Sequence, residues 1–564
     1  MSLIGALNIG KSALAVSQAA IQTTSNNIAN AGNADYTRQV ANITPNRDQQ
    51  IQQGIFIGTG VNLASVTRQI DQALESRIRA SVSDDESAST TESWLSRVEA
   101  TFNELTDQDV STQLSTFFNS WSDLANKPQD IGLRQVVIQN GQTVAQSLQD
   151  LRGQLTSLQD DIDQQIKALT GNADSLAQQI ADLNGQIVAA QGGAAGTANG
   201  LLDQRDALLK QLSGLVDVKT VDQSNGVVDV YVGSQPLILG TDNRGIEFDQ
   251  EVVNGNIETS IKCKETGGTF KVESGQLGAL TAVRSSVDDV VDNVNSLTSN
   301  IIFELNKVHA SGQGLQGFSS TNSTNLVDDA TVALTNSGLK FAPTTGSFVV
   351  HVTNKLTGLT SSTLVQVDLD GANGNDTSLQ SLAASIDGIA NISASVSGGR
   401  LNIDADSSDV EFSFSQDSSG VLAALGVNSF FTGTDAHDIA VNDSIKTNPS
   451  LLAAAKNGEP GDNQTALAIA GLETTSLASL NGQTLEQMYQ RMVNTVSTSA
   501  SASKTSADAA ANVRQTLEAQ RQALSGVSVN EEAINLITQQ RAFQGAARLI
   551  STIDEMMQTL LAIQ

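Results

Sequence analysis

Cysteine is nearly absent: Cys263 is the single one among 564 residues. That excludes an intramolecular disulfide framework and a cysteine-rich zinc site. Aromatic side chains make up 4%, too few for the stacking platforms that grip single-stranded nucleic acid. Basic residues are also short. Against 60 Asp and Glu stand 31 Lys and Arg, a formal charge of -29. An acidic excess of that size excludes nucleic acid and anionic membrane surfaces as main partners. No apolar run reaches the length of a membrane span. The N-terminus lacks a basic leader, and Asn8, Gly10 and Lys11 break its apolar stretch, so a cleavable secretory signal is not expected. The histidines, His309, His351 and His437, stand at no metal-ligand spacing.

What is present is unevenly distributed. Residues 1–80 carry six basic and four acidic groups, and residues 504–564 carry five and six. The two ends are therefore close to neutral, and the acidity lies between them. Near-neutral ends suit packing, whereas an acidic centre suits solvation. Proline is missing from 1–44, 129–235, 237–342 and 461–564, and three of those four stretches carry strong helical periodicity. Leu148, Leu155, Ile162, Leu169, Leu176 and Leu183 recur every seven residues, as do Leu280, Val287, Val294, Ile301 and Val308. Such stripes predict long helices lying along other helices. The run at 191–200 reads as the turn that ends the first of them.

From Val216 the period changes to two. Val228, Val230 and Val232 follow Asn225-Gly226, which predicts a hairpin. Residues 311–345 read as a loop. Phe348-Val350-Val352, Val365-Val367, Leu401-Ile403 and Phe412-Phe414 alternate and predict strands, with a helix over 379–389 and a turn at Ser397-Gly398-Gly399.

Three motifs invite chemistry. Gly312-x-Gly314-x-x-Gly317 matches a dinucleotide fingerprint, but it follows a helix and enters a loop, so a phosphate would meet no helix N-terminus. Asp368 to Asp376 resembles a calcium loop, yet Asn373 and Leu379 occupy the positions that need Gly and Glu; a solvated acidic turn is the better reading. Cys263 lies between two lysines, which favour a thiolate, but no His–Asp relay accompanies it. No catalytic, cofactor-binding or metal-binding residue is assigned, and no enzyme activity or cofactor is expected.

The two ends share one grammar. Leu7, Leu14, Ile21 and Ile28 repeat every seven residues with Ala6, Ala13 and Ala20 beside them. Leu536, Phe543, Ile550 and Met557 repeat likewise, followed by Ala546, Ile553 and Leu560. Narrow apolar stripes with small neighbours suit a close helix–helix seam. These eight residues are expected to form it, within the chain and toward further copies.

Two end segments carry a resemblance. Ser25-Asn26-Asn27-Ile28-Ala29-Asn30 with Tyr36-Thr37-Arg38-Gln39, and Val529 to Gln544 with Ile553 to Leu561, resemble the opening and closing motifs of the bacterial flagellar rod, hook and hook-associated axial proteins. Asn26, Asn27, Asn30, Tyr36, Arg38 and Gln39 match the opening motif. Members commonly place Pro-Gly before the tyrosine; Ala34-Asp35 stand here. Asp tolerates left-handed backbone better than most residues, so a left-handed turn is expected. The long helical stripes and Glu304 to Gly312 resemble members at the hook–filament junction.

The resemblance implies a multidomain α plus β chain: a coiled-coil stem of terminal helices, a long-helix bundle, and β-rich outer or inserted domains. The expected segments are an axial helix and extended stretch (1–80), the first long-helix part (81–215), a β-rich segment (216–276) and a returning long helix (277–314). An inserted acidic β-rich domain (315–445) and a C-terminal helical segment (446–564) follow. It implies a structural adaptor, exported without a cleavable signal into the extracellular flagellum. The implied partners are its own copies in a helical array, the hook protein, the second hook–filament junction protein (hook-associated protein 3) and an export chaperone. Ile553, Met557, Leu560 and Leu561 are the candidate chaperone contacts. The alternatives are a hook or rod protein, or an exported ligand-binding or enzymatic protein.

Overall fold

The computed structural model describes residues 3–52, 54–102, 109–191, 198–253, 256–372 and 374–562. Most of the expected turn at 191–200, and Asn373 of the acidic turn, lie outside them. The helices run α1 (Leu3–Ala29), α2 (Gln72–Thr101), α3 (Val110–Asn126), α4 (Ile131–Gln191), α5 (Asn199–Leu215), α6 (Gly275–Ala310), α7 (Leu379–Asp387), α8 (Val421–Leu425), α9 (Asp443–Thr447), α10 (Gln464–Gly471), α11 (Leu485–Ser525) and α12 (Val529–Ala562). No helix among these residues is long and apolar enough to cross a membrane. The chain divides into two compact units: Met1–Trp94 with Ile162–Arg284 and Ser501–Gln564, and Leu95–Asp161 with Ser285–Ala500.

The first unit holds both chain ends. An antiparallel pair, β1 (Gln39–Pro45) and β4 (Val61–Arg68), carries the smaller pair β2 (Gln49–Gln52) and β3 (Ile55–Ile57). Helix α5 anchors this hairpin: Asn199 Nδ2 donates to the Val66 carbonyl at 2.9 Å, and Arg68 meets Asp203 at 2.9 Å and Asp206 at 2.7 Å. Strands β5 (Val218–Asp222), β6 (Val228–Val232), β7 (Gln235–Leu239) and β8 (Asp242–Asn243) form a meander, and β9 (Ile246–Val253) pairs with β10 (Asn256–Cys263). Gly226, at φ 84°, supplies the left-handed residue of the expected β5–β6 turn.

The α4 stripe becomes one helix, with a drift. Leu148, Leu155 and Ile162 are buried, but farther along the buried line passes to Ile166, Ala173, Ile180 and Ile187, leaving Leu169 and Leu176 half-buried. A 3.6-residue turn rotates a seven-residue repeat off its face by about 20° per heptad.

The second unit contains β11 (Ser320–Asn322), β12 (Gly346–Asn354), β13 (Thr360–Val367), β14 (Ile392–Ser397), β15 (Arg400–Ala405), β16 (Val410–Ser415), β17 (Phe431–Thr432) and β18 (Ala440–Val441). One sheet runs β13-β12-β16 and another β11-β15-β14. Residues read as loop at 311–345 in fact join these sheets: Phe318 bridges Phe412 of β16, and β11 pairs with β15. Ser and Thr content alone concealed this, because an edge bridge needs few apolar contacts. Beneath lies an apolar core including Phe348, Phe412, Phe414, Leu382 and Ile403, all at most 1% exposed. Each such side chain contributes roughly 1.5–3 kcal/mol.

The Gly-rich motif receives a packing explanation. A Cβ on Gly312 would lie 2.5 Å from Thr465 Oγ1, on Gly314 against the Ser450 carbonyl, and on Gly317 2.9 Å from the Phe412 carbonyl. These glycines admit close backbone approach. Just before them, Asn306 Oδ1 accepts the Phe430 and Phe431 amides at 2.9 and 3.0 Å, while its Nδ2 donates to the Phe431 carbonyl. His309 Nδ1 lies 2.8 Å from the Asn428 carbonyl, and Nε2 accepts the Ala453 amide at 3.0 Å. That pattern fixes a neutral ring protonated at Nδ1. Burial pushes its pKa down to about 4. The segment 428–453, tied to α6 through Asn306 and His309, forms a strap that Arg134 also caps: it donates to the Pro128 carbonyl at 2.6 and 3.0 Å and to that of Leu452, and burial lowers its pKa to about 10.

Candidate assembly interface

Helices α1 and α12 pair over most of their length. Gly10 meets Ile550, where an added Cβ would stand 2.9 Å from Ile550 Cγ1. Asn27 meets Glu532, Nδ2 to Oε2 at 3.0 Å. One contact joins the start of α1 to the later part of α12 and the other the reverse, so the pair is antiparallel. Counting along both helices from Gly10 sets Ser17 level with Phe543 and Thr24 level with Leu536. Gly10, Ser17 and Thr24 are buried. The bulky α12 stripe thus rides on a small-residue stripe of α1, rather than on the leucines that repeat beside it.

The eight expected seam residues are all half-buried: Leu7, Leu14, Ile21 and Ile28 on α1, and Leu536, Phe543, Ile550 and Met557 on α12. Fully buried beneath them are Val16 and Ala20, with Ala546 and Ile553 opposite. Of the candidate chaperone contacts, Ile553 is therefore covered by the pairing and Met557 partly so, while Leu560 and Leu561 are 54% and 72% exposed. Ile534, Ile537, Leu549 and Met556 add further exposed apolar surface to α12, and Ile51, Ile55 and Phe56 do so on the β2–β3 pair. Exposed apolar groups in such concentration mark an interaction surface.

The opening motif converges on one buried amide. Asn27 Oδ1 accepts the Tyr36 hydroxyl at 2.7 Å and the Gln39 amide at 3.0 Å. Asn27 Nδ2 donates to the Gln39 carbonyl at 2.9 Å and to Glu532. All four hydrogen-bonding places of the side chain are filled. Arg38 Nε and Nη2 reach Glu532 Oε1 at 2.9 and 2.8 Å, and Nη1 reaches Glu531 at 3.3 Å. Asn27 and Glu532 are 1% and 2% exposed. Asn26 stays exposed, donating to the Tyr36 hydroxyl at 3.3 Å, and Asn30 donates to the Asn26 carbonyl at 2.9 Å. Burial, with Asp203 and Glu532 nearby, pushes the Tyr36 pKa up to about 12.

The expected left-handed turn before Tyr36 is not formed: none of its residues has positive φ. Asn33 Oδ1 accepts the Asp35 amide at 3.1 Å instead, a side-chain turn that needs no glycine. Sequence reasoning does not reveal Glu532, Asp203 and Gly10 as site residues, because their partners lie from 135 to more than 500 positions away. The signals available were a glycine inside a helical stripe and a carboxylate in an apolar line.

The remaining candidates have the following surroundings. Lys262 is held by Asp249 and Glu251 at 2.5 and 2.7 Å, and Lys264 by Asp174 at 2.6 Å. Neither lysine is left to activate Cys263, which is buried. Carboxylates of Asp368, Asp370 and Asp376 converge within 4.8 Å. They accept from their own turn, at the Asn375 side chain (2.6 Å) and the Gly371 (3.0 Å) and Ala372 (2.7 Å) amides.

Comparison with known proteins accords with this architecture. Residues 95–323 match the family described as flagellar hook-associated protein FlgK helical domain, and residues 519–563 match the flagellar basal body rod FlgEFG protein C-terminal family. The chain is 25% identical to flagellar hook-associated protein 1 of Salmonella typhimurium over 99% of both chains, and 24% identical to that of Escherichia coli K12 over the same shares. The Bacillus subtilis counterpart is 32% identical over 28% of this chain and 32% of its own. The flagellar hook junction protein FlgK of Burkholderia pseudomallei shares the fold, with a TM-score of 0.51 at 17% identity, covering 80% of this chain and all of that one. The helical-domain match, the C-terminal match and the full-length relatives agree in likening this chain to flagellar hook-associated protein 1, a structural protein of the flagellum.

Proposed function

We propose that this chain is the adaptor that joins hook to filament, working by packing and mechanical coupling without turnover. The observation that carries the reading is the α1–α12 pair, which buries a small-residue seam yet leaves its bulky stripe half-covered. A two-helix seam gains too little burial to offset its ordering entropy alone. Neighbouring copies supply the missing cover, and head-to-tail contacts propagate into a helical array. The exposed apolar groups of α12 and of the β2–β3 pair are the surfaces that such neighbours would take.

Its partners would be the hook protein on one side and hook-associated protein 3 on the other. Before assembly, an export chaperone would cover α12 from Ile553 to Leu561, and the burial of Ile553 in the folded pair requires α1 to be absent then. Export would need no cleavable signal. Electron microscopy of cells lacking the gene tests the adaptor reading, together with an assay for flagellin in the medium. Hooks without filaments, with flagellin lost outside, support it. Absent hooks or truncated rods move the protein lower in the axis and refute it. Chaperone capture by a chain lacking 530–564 would refute the export contact.

A further inference from the structure

We propose that the buried Asn27–Glu532 contact is the register key of the terminal helix pair. It decides which turn of α12 faces which turn of α1, and Tyr36 and Gln39 are the positioning residues that aim it.

The need for a key lies in the repeat itself. Both stripes recur every seven residues, so sliding one helix by a heptad again sets apolar side chains along the seam. Gly10 would then face Phe543 or Met557 in place of Ile550. Apolar packing discriminates weakly between such offsets. Asn27 and Glu532 break the degeneracy because neither an amide on the α1 line nor a carboxylate on the α12 line recurs at a heptad's distance. The α1 line that ends in Asn27 otherwise holds Ala6, Ala13 and Ala20. The α12 line that begins with Glu532 continues with Gln539, Ala546, Ile553 and Leu560. One slip leaves the buried Glu532 level with Ala20, a charge without a donor; the other carries it beyond the end of α1. Only the observed offset gives Glu532 the Asn27 amide at 3.0 Å and the Arg38 guanidinium at 2.8 Å. A single polar residue in an apolar seam is a recognised means of setting helix register.

The aim of the key is fixed locally. Without the Tyr36 hydroxyl and the Gln39 backbone, the Asn27 amide could flip and present oxygen to a carboxylate. With both Oδ1 places taken, only Nδ2 remains to face Glu532. This gives the Tyr36-Thr37-Arg38-Gln39 segment a definite task, and it does not depend on where in the flagellum the protein sits.

Disulfide trapping tests it. In a Cys263→Ser background, Gly10→Cys is combined in turn with Phe543→Cys, Ile550→Cys or Met557→Cys. Mild oxidation is applied to the purified chain and to flagella isolated from cells. The expected product is a crosslinked monomer of the 10–550 pair. Glu532→Ala should lower the ratio of 10–550 to the slipped pairs by roughly tenfold or more, whereas Glu532→Gln, which keeps an acceptor, should hold the register. A 10–550 pair that stays dominant in Glu532→Ala overturns the proposal. So does a parent chain that yields no 10–550 product in either sample, or yields it only as a crosslinked dimer.

Discussion

The terminal pair of the first unit and the strap of the second use the same device in different settings. Each sets a buried asparagine between segments far apart in sequence: Asn27, with four side-chain hydrogen bonds, against Gln39 and Glu532, and Asn306, with three, against Phe430 and Phe431. Around Asn306 the setting is sealed. His309, Trp121, Phe117 and Phe430 are 0% exposed, and their rings meet edge-on or tilted at centroid separations from 5.5 to 6.3 Å. Around Asn27 the flanking leucines and isoleucines are half-covered. A polar key in a sealed core fixes one chain to itself. The same key in an open seam fixes a geometry and leaves apolar surface for others.

Four substitutions or conditions would break or sharpen that contrast. The largest effect is expected from Phe543→Asp, which sets a charge into the half-covered seam. Incorporation into flagella, followed by immunogold labelling, should be lost, while urea melting of the second unit is unchanged. Next, His309→Ala removes two buried hydrogen bonds and opens a cavity. Denaturant melts should show about 3 kcal/mol of destabilisation or more.

The third is a pH effect. The His309 pKa falls from 6.5 to about 4 on folding. Between those values the unfolded chain binds a proton that the folded chain excludes. The strap is therefore at full strength above the ordinary histidine pKa and weakens as pH falls toward 4, by at most about 3 kcal/mol. His309→Gln should flatten that part of the stability profile, and an unchanged slope would deny His309 its role. The smallest effect is expected for Gly10→Val, whose side chain meets Ile550. A cost of about 1–3 kcal/mol should appear as faster amide exchange in α1 and α12, with α6 unaffected.

Much of the frame was legible. Heptad stripes gave α4, α6, α1 and α12, and alternation with Asn225-Gly226 gave the β5–β6 turn, since both signals are local and periodic. The bridge at Phe318 was not legible, because one backbone pair leaves no period. Nor was the Gly312-Gly314-Gly317 packing, since a glycine's reason lies in the segment that approaches it. Of the assembly site, the motif residues and stripes were visible, but Glu532 as their partner was not. The left-handed turn expected at Ala34-Asp35 was replaced by an Asn33 side-chain turn, a choice that local hydrogen bonding made.

By itself the sequence determined which long segments are helical, that the ends are near-neutral and striped, and that no disulfide or cysteine-rich metal site supports the fold. Those properties follow from residue type and spacing alone. Tertiary structure decided which stripe lies on which, that small residues rather than leucines carry the α12 ridge, and that Asn27 finds Glu532. Each of these depends on bringing together residues some 505 positions apart, and a repeat of seven is satisfied equally well at several offsets until a buried charge requires one of them.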